Sequence, residues 1–181
     1  KQPEVLLFPR MPNRETLDLI SRQVIDEGSL SFTAIRAKDC AEALLRIRSL
    51  NPNAEEFAET MSAVLNMRLV RRLCEQCKQA YRPNPAVLQK LRIPVDRVST
   101  LYREWQPPPP EQEIKRKTDE PEICLTCNGV GYRGRIGLFE LLEVDDSIRE
   151  ALKKQPRLDV IRELARKSGM RTFQEEGILA A

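Results

Sequence analysis

Two CxxC pairs, Cys74 and Cys77 in CEQCKQAYRP and Cys124 and Cys127 in CLTCNGVGYRGRIG, are the residues of this chain best suited to chemistry. A CxxC turn presents two sulfurs from one side, and two such turns can close a tetrahedron of four thiolates around zinc. The chain has no histidine, so it offers neither an imidazole ligand nor an imidazole base. Four sulfurs leave no coordination position for water or substrate, so the expected centre is a closed structural zinc site. Closing the 46 residues between Cys77 and Cys124 costs roughly 3 kcal/mol plus a constant. Structural zinc contributes on the order of 10–16 kcal/mol, so the long loop is no obstacle. A redox-active CxxC and an iron–sulfur cluster remain as alternatives. The first wants one pair at a strand-to-helix start, and the second wants more shielding than these polar surroundings give. The fifth cysteine, Cys40 in KDCAEALL, reads as a small buried hydrophobe.

The sequence supplies a framework for these pairs in alternating pieces. Val5–Phe8 (VLLF), bounded by Pro3 and Pro9, reads as a short buried strand. Leu17, Ile20 and Val24 fall at helical spacing, and Gly28 stops that helix. Leu30–Ile35 (LSFTAI) reads as a second strand, and Asp39 with Glu42 forms a capping box ahead of AEALLRIRSL. Strand, helix, strand and helix in succession predict a βαβ crossover and a parallel sheet. Phe57, Met61, Leu65, Leu69 and Leu73 repeat every four residues and predict a helix running into Cys74. Its other face carries Arg68, Arg71 and Arg72, either solvated or turned toward phosphate or a subunit. GYRGRIGLFELLEV predicts a β-hairpin, with glycines supplying the turns. Asp145 or Asp146 caps a helix over Ile148–Lys154. Leu158, Ile161 and Ala165 mark another that Gly169 ends, and residues 171–181 start one more. Between the cysteine pairs, residues 103–122 (REWQPPPPEQEIKRKTDEPE) read as an exposed, partly disordered excursion with Trp105 pinning its root.

Composition narrows the function further. Thirty basic against 27 acidic side chains give a net charge of +3, too balanced for a nucleic-acid partner argued from charge. No apolar run approaches the ~18 residues of a membrane span, and the start lacks a signal-peptide pattern. An odd cysteine count with close-set pairs and no leader reads as cytosolic. The chain opens on Lys1, not Met, and reads as a piece of something longer. No GxxxxGK[ST] loop is present to cradle a triphosphate.

At MSAVLNMRLVRRLCEQCKQAY, CLTCNGVGYRGRIGLFELLEVDDSIREAL and ELARKSGMRTF the chain resembles the C-terminal part of the type II secretion and type IV pilus assembly ATPases. Those are hexameric P-loop motors with a four-cysteine zinc subdomain. The resemblance runs nearly end to end and assigns zinc to Cys74, Cys77, Cys124 and Cys127. It implies an α/β fold: a partial RecA-like parallel sheet over residues 1–73, a tetracysteine zinc subdomain over 74–142 with an insert at about 103–122, and C-terminal helices over 143–181. It also implies ATP-driven work at the cytoplasmic face of the inner membrane, against platform proteins of a secretion or pilus system. The departures matter. PEVLLFPRMPNRET lies where the family has a pattern like PDVIMVGEIRDPET, so Arg10 and Asn13 replace two carboxylates of the Walker B region. LSFTAIRAKDC lies where the family has LVFSTLHTNDA, placing Arg36 at the family's histidine, where it could meet a phosphate. ATP and Mg²⁺ would belong to the longer parent, and whether that parent is an active enzyme stays open. The competing expectation is a zinc-ribbon adaptor that kept the fold and lost the motor.

Overall fold

A computed structural model describes residues 3–10, 13–90, 93–96, 98–106, 123–154 and 156–180. The chain forms two compact units, each built from separate stretches: residues 1–66 with 139–171, and residues 67–138 with 172–181.

In the first unit, β1 (Val5–Phe8) and β2 (Leu30–Thr33) pair in parallel, with Val5 opposite Leu30. The crossover is α1 (Arg14–Glu27), whose first turn is capped by the Asn13 side chain accepting the Thr16 N–H at 3.0 Å. Gly28 and Gly169 lie just past their helices at φ of 65° and 92°. The expected βαβ unit therefore forms, but its strands are not buried. Val5 and Leu7 are 56% and 72% exposed, because among the described residues no second layer covers that face of a two-stranded sheet.

The core lies instead around α2 (Cys40–Arg48). Asp39 caps it by accepting the Glu42 N–H at 2.8 Å, while the Glu42 carboxylate accepts the Lys38 N–H, one residue earlier than a capping box would place it. Cys40 and Leu44 of α2 are fully buried together with Phe57 of α3 (Ala54–Thr60). Ile148 and Leu152 of α5, the helix α5 (Asp146–Lys153) capped by Asp145, and Ile161 of α6 (Leu158–Lys167) complete that core. Cys40 is the small buried hydrophobe expected. Its thiol faces the carbonyls of Val64 and Glu140 at 3.3 and 3.4 Å, and burial, then the Glu140 carboxylate, push its pKa up to about 12. Arg149 of α5 donates to the carbonyls of Ala58 and Glu59 at the end of α3, at 2.9 and 2.7 Å, satisfying groups the helix leaves open.

Two sequence expectations are corrected here. No helix runs from Phe57 to Leu73: α3 stops at Thr60, and residues Ala63–Leu73 form the strand β3. A spacing of four is even, so it satisfies the two-residue period of a strand as well as the helical one. Leu65, Met67 and Leu69 accordingly alternate on one exposed face of β3. Nor does GYRGRIGLFELLEV turn back on itself; Tyr132–Glu143 is one strand, β6, paired with β3. Hydrogen bonds from Val144 N–H to the Ser62 carbonyl and from Cys74 N–H to the Gly131 carbonyl, both 2.9 Å, set the two strands antiparallel. Between those bonds β6 carries one residue more than β3. Gly134, at φ 76°, lies within that continuous strand and not at a turn between two strands.

In the second unit, β4 (Gln79–Tyr81) and β5 (Leu101–Arg103) form an antiparallel pair, Ala80 opposite Tyr102, with α4 (Pro85–Lys90) between them in sequence. Leu88 and Leu101 are buried here. The Lys78 ammonium lies 4.2 Å from the Tyr102 ring centre. The last helix, α7 (Phe173–Leu179), opens with a capping box between Thr172 and Glu175. Trp105 is half-buried before the Pro-rich stretch, and residues 107–122 lie outside the described residues. Among the described residues no helix is long and apolar enough to cross a membrane.

Candidate metal centre

Both cysteine pairs belong to the second unit, and each is set by its own backbone. The first knuckle follows β3 directly. The Cys74 carbonyl accepts the Cys77 and Lys78 N–H groups at 3.3 and 2.9 Å, which curls Cys77 back beside Cys74. In the second knuckle the Cys124 carbonyl accepts Gly129 N–H at 3.3 Å and the Cys127 carbonyl accepts Val130 N–H at 3.1 Å. Closing that turn needs two left-handed residues in succession, Asn128 at φ 52° and Gly129 at φ 77°. A Cβ on Gly129 would stand 2.9 Å from the Ile123 Cγ2, so glycine is required by space as well as by torsion.

These turns bring together the four cysteines that the sequence singled out. Their sulfurs all lie within 4.8 Å of one another. Cys74 and Cys124 sulfurs are 3.9 Å apart, and those of Cys77 and Cys127 are 3.6 Å apart. A disulfide would need about 2.05 Å, so neither contact is one. A tetrahedral ion with metal–sulfur bonds near 2.3 Å would hold its ligand sulfurs about 3.8 Å apart, close to the two separations above. Cys74 and Cys127 are buried, Cys77 and Cys124 half-buried.

The thiols differ electrostatically. The Cys127 backbone N–H, outweighing burial and helped by the Thr126 N–H, draws the Cys124 pKa down to about 7. Burial, followed by hydrogen bonds to the other three thiols, pushes Cys77 up to about 12. Four thiolates this close repel one another, and a bound dication is what lets all four ionise. The donor set is all sulfur and closed, so a metal here would brace the two knuckles and catalyse nothing.

Gly131 is a residue of this cluster whose part the sequence reading missed. Its carbonyl accepts the Cys74 N–H at 2.9 Å, and its own N–H donates to the Cys127 sulfur at 3.3 Å, tying one knuckle to the other. A backbone N–H on a ligand sulfur is the usual outer support of a thiolate centre. The available signal was the glycine four residues past Cys127. Nearby, the Glu104 carboxylate accepts from the Tyr132 hydroxyl and holds its pKa above the ordinary value, while the Arg71 guanidinium lies 4.0 Å from the same ring's centre.

The three arginines expected on a helix face are strand residues with partners inside the unit. Arg68 lies 5.1 Å from the Phe173 ring centre, Arg71 stacks on Tyr132, and Arg72 pairs with Glu75 at 3.3 Å. Arg36, singled out for a phosphate role, is exposed in the loop between β2 and α2, in the other unit from the cysteines.

Comparison with known proteins places this arrangement. The chain is 28% identical over its whole length to the type IV pilus assembly ATPase PilB of Thermus thermophilus, covering 19% of that protein. Against PilB of Pseudomonas aeruginosa it is 23% identical over its whole length, covering 29% of that protein. It is 30% identical to type II secretion system protein E of Dickeya dadantii over 84% of the chain and 26% of that protein. The chain thus spans between about a fifth and three tenths of the length of these relatives. The model of the Type II/IV secretion system protein family matches residues 1–181, and the chain belongs to that family.

Proposed function

We propose that this chain is the C-terminal part of a secretion or pilus-assembly motor ATPase, and that Cys74, Cys77, Cys124 and Cys127 hold one structural zinc ion in it. The observation that carries this reading is the cluster of four sulfurs all within 4.8 Å of one another, in a chain matched to the family from end to end. When bound, zinc neutralises the thiolates and locks the knuckles together. On this reading residues 1–73 are the C-terminal portion of a RecA-like domain, to which the parallel β1–β2 pair would belong. Residues 74–142 are the zinc subdomain, and 143–181 are C-terminal helices, of which α5 and α6 pack into the first unit. The whole protein would work as a hexamer with Mg²⁺ and ATP at the cytoplasmic face of the inner membrane, against platform proteins of its system and without nucleic acid. Arg36 would lie near the nucleotide.

A second reading has its own support. By the family pattern that the chain resembles, Arg10 and Asn13 stand where acidic residues are expected, and without such carboxylates Mg²⁺ and the attacking water would be poorly held. An adaptor descended from the motor would look this way. Calorimetry of Mg-ATP binding to the full-length protein separates the two: saturable binding and hydrolysis support the motor, and no detectable binding supports the adaptor.

A further inference from the structure

The first knuckle has a built surface beside it that the metal does not use. A cavity of about 300 Å³ is lined by Arg72, Leu73, Glu75, Gln76, Thr126 and Arg133. A second, of about 250 Å³, shares Arg72, Leu73 and Glu75 and sets Arg71 and Lys78 beside apolar Val70, Ile136 and Leu138. Both lie within the second unit.

We propose that these adjoining cavities form a docking groove for an acidic peptide segment of a partner protein, one carboxylate entering between Arg72 and Arg133 and a neighbouring apolar side chain filling the second cavity. Charge complementarity argues for this occupant. Among the described residues Arg133 makes no ion pair, although it faces a cavity shared with a second guanidinium. Among the described residues Arg72 pairs only with Glu75, at 3.3 Å, with both side chains more than half exposed, and such pairs are weak. Glu75 has a better partner in Lys78 at 2.6 Å, the contact that chiefly holds its pKa below the ordinary value. An incoming carboxylate can therefore take Arg72 without leaving Glu75 unpaired, and a planar guanidinium fork suits a carboxylate. The Gln76 amide and the Thr126 hydroxyl add neutral donors. The recess favours an inserted side chain over a flat anionic bilayer, which reads positive charge spread over a surface. The inference holds for motor and adaptor alike, since it uses neither nucleotide nor hydrolysis.

The test is fluorescence anisotropy on the zinc-loaded chain with a labelled decapeptide of Glu and Gly containing one Leu. Controls are the same peptide with Lys for Glu, and co-sedimentation with phosphatidylglycerol vesicles. Arg133→Gln should weaken peptide binding by about tenfold or more, the size of a lost charge-assisted bond. Glu75→Gln should tighten it a few-fold by removing the competing carboxylate, an effect that mere loss of structure cannot mimic. Zinc content should be unchanged in both variants. Equal binding by wild type and both variants overturns the proposal. So does binding that follows the vesicles alone, or equal binding of the Lys peptide.

Discussion

At Gly129 a left-handed φ of 77° and an Ile123 methyl 2.9 Å from a would-be Cβ act together, whereas Gly134 shares the torsion but has nothing within 4 Å of its Cβ position. The difference is testable. Alanine at Gly134 should cost only the backbone penalty, about 1–2 kcal/mol. Alanine at Gly129 adds a steric clash beside the cysteine cluster and should cost measurably more, read as a larger drop in the urea midpoint. Equal losses would show that Ile123 moves aside freely. Residues like these divide into legible and hidden ones for a physical reason. The CxxC pairs were readable because two ligands with two residues between them are a local arrangement. Gly131 was not, since its double role exists only once β6 runs beside the first knuckle.

Among the elements, α2 shows how one carboxylate can hold two things. Asp39 accepts the Glu42 N–H with one oxygen and Arg162 of α6 with the other, at 2.6 and 3.1 Å. Asp39→Ala should lose about 1–2 kcal/mol, mostly as the helix cap, with a small share from the partly exposed ion pair. Asp39→Asn keeps a capping oxygen and should lose less than half of that in thermal or urea melts. The reverse order would mean that the ion pair, not the cap, holds α2. Elements with end signals were legible where the signal was read: Asp39 and Asp145 cap the helices they precede, while Asn13 and Thr172 cap theirs without having been singled out. Spacing alone misled at β3, because every fourth residue also falls on one face of a strand. At β6 the glycines lie within one continuous strand and not at a reversal, and only the partner strand decides between those outcomes.

At the scale of the whole molecule, the first unit closes its core over long sequence distances, with Cys40 set against the backbone of Glu140 and the buried Arg48 donating to the Leu152 carbonyl at 3.1 Å. No local pattern announces such pairings, so the two interleaved units had to come from the structure. Among the described residues the second unit has few large buried side chains, chiefly Leu88, Leu101 and Leu138, and a core that small would gain most from a metal held by the four cysteines. The most direct test is zinc per chain, by mass spectrometry of the purified protein, across five single Cys→Ser variants. Wild type and Cys40→Ser should each carry one zinc, and each serine at position 74, 77, 124 or 127 should lose most of it. Full zinc retention by any of those four, or zinc loss in Cys40→Ser with its fold intact, would contradict a four-sulfur centre.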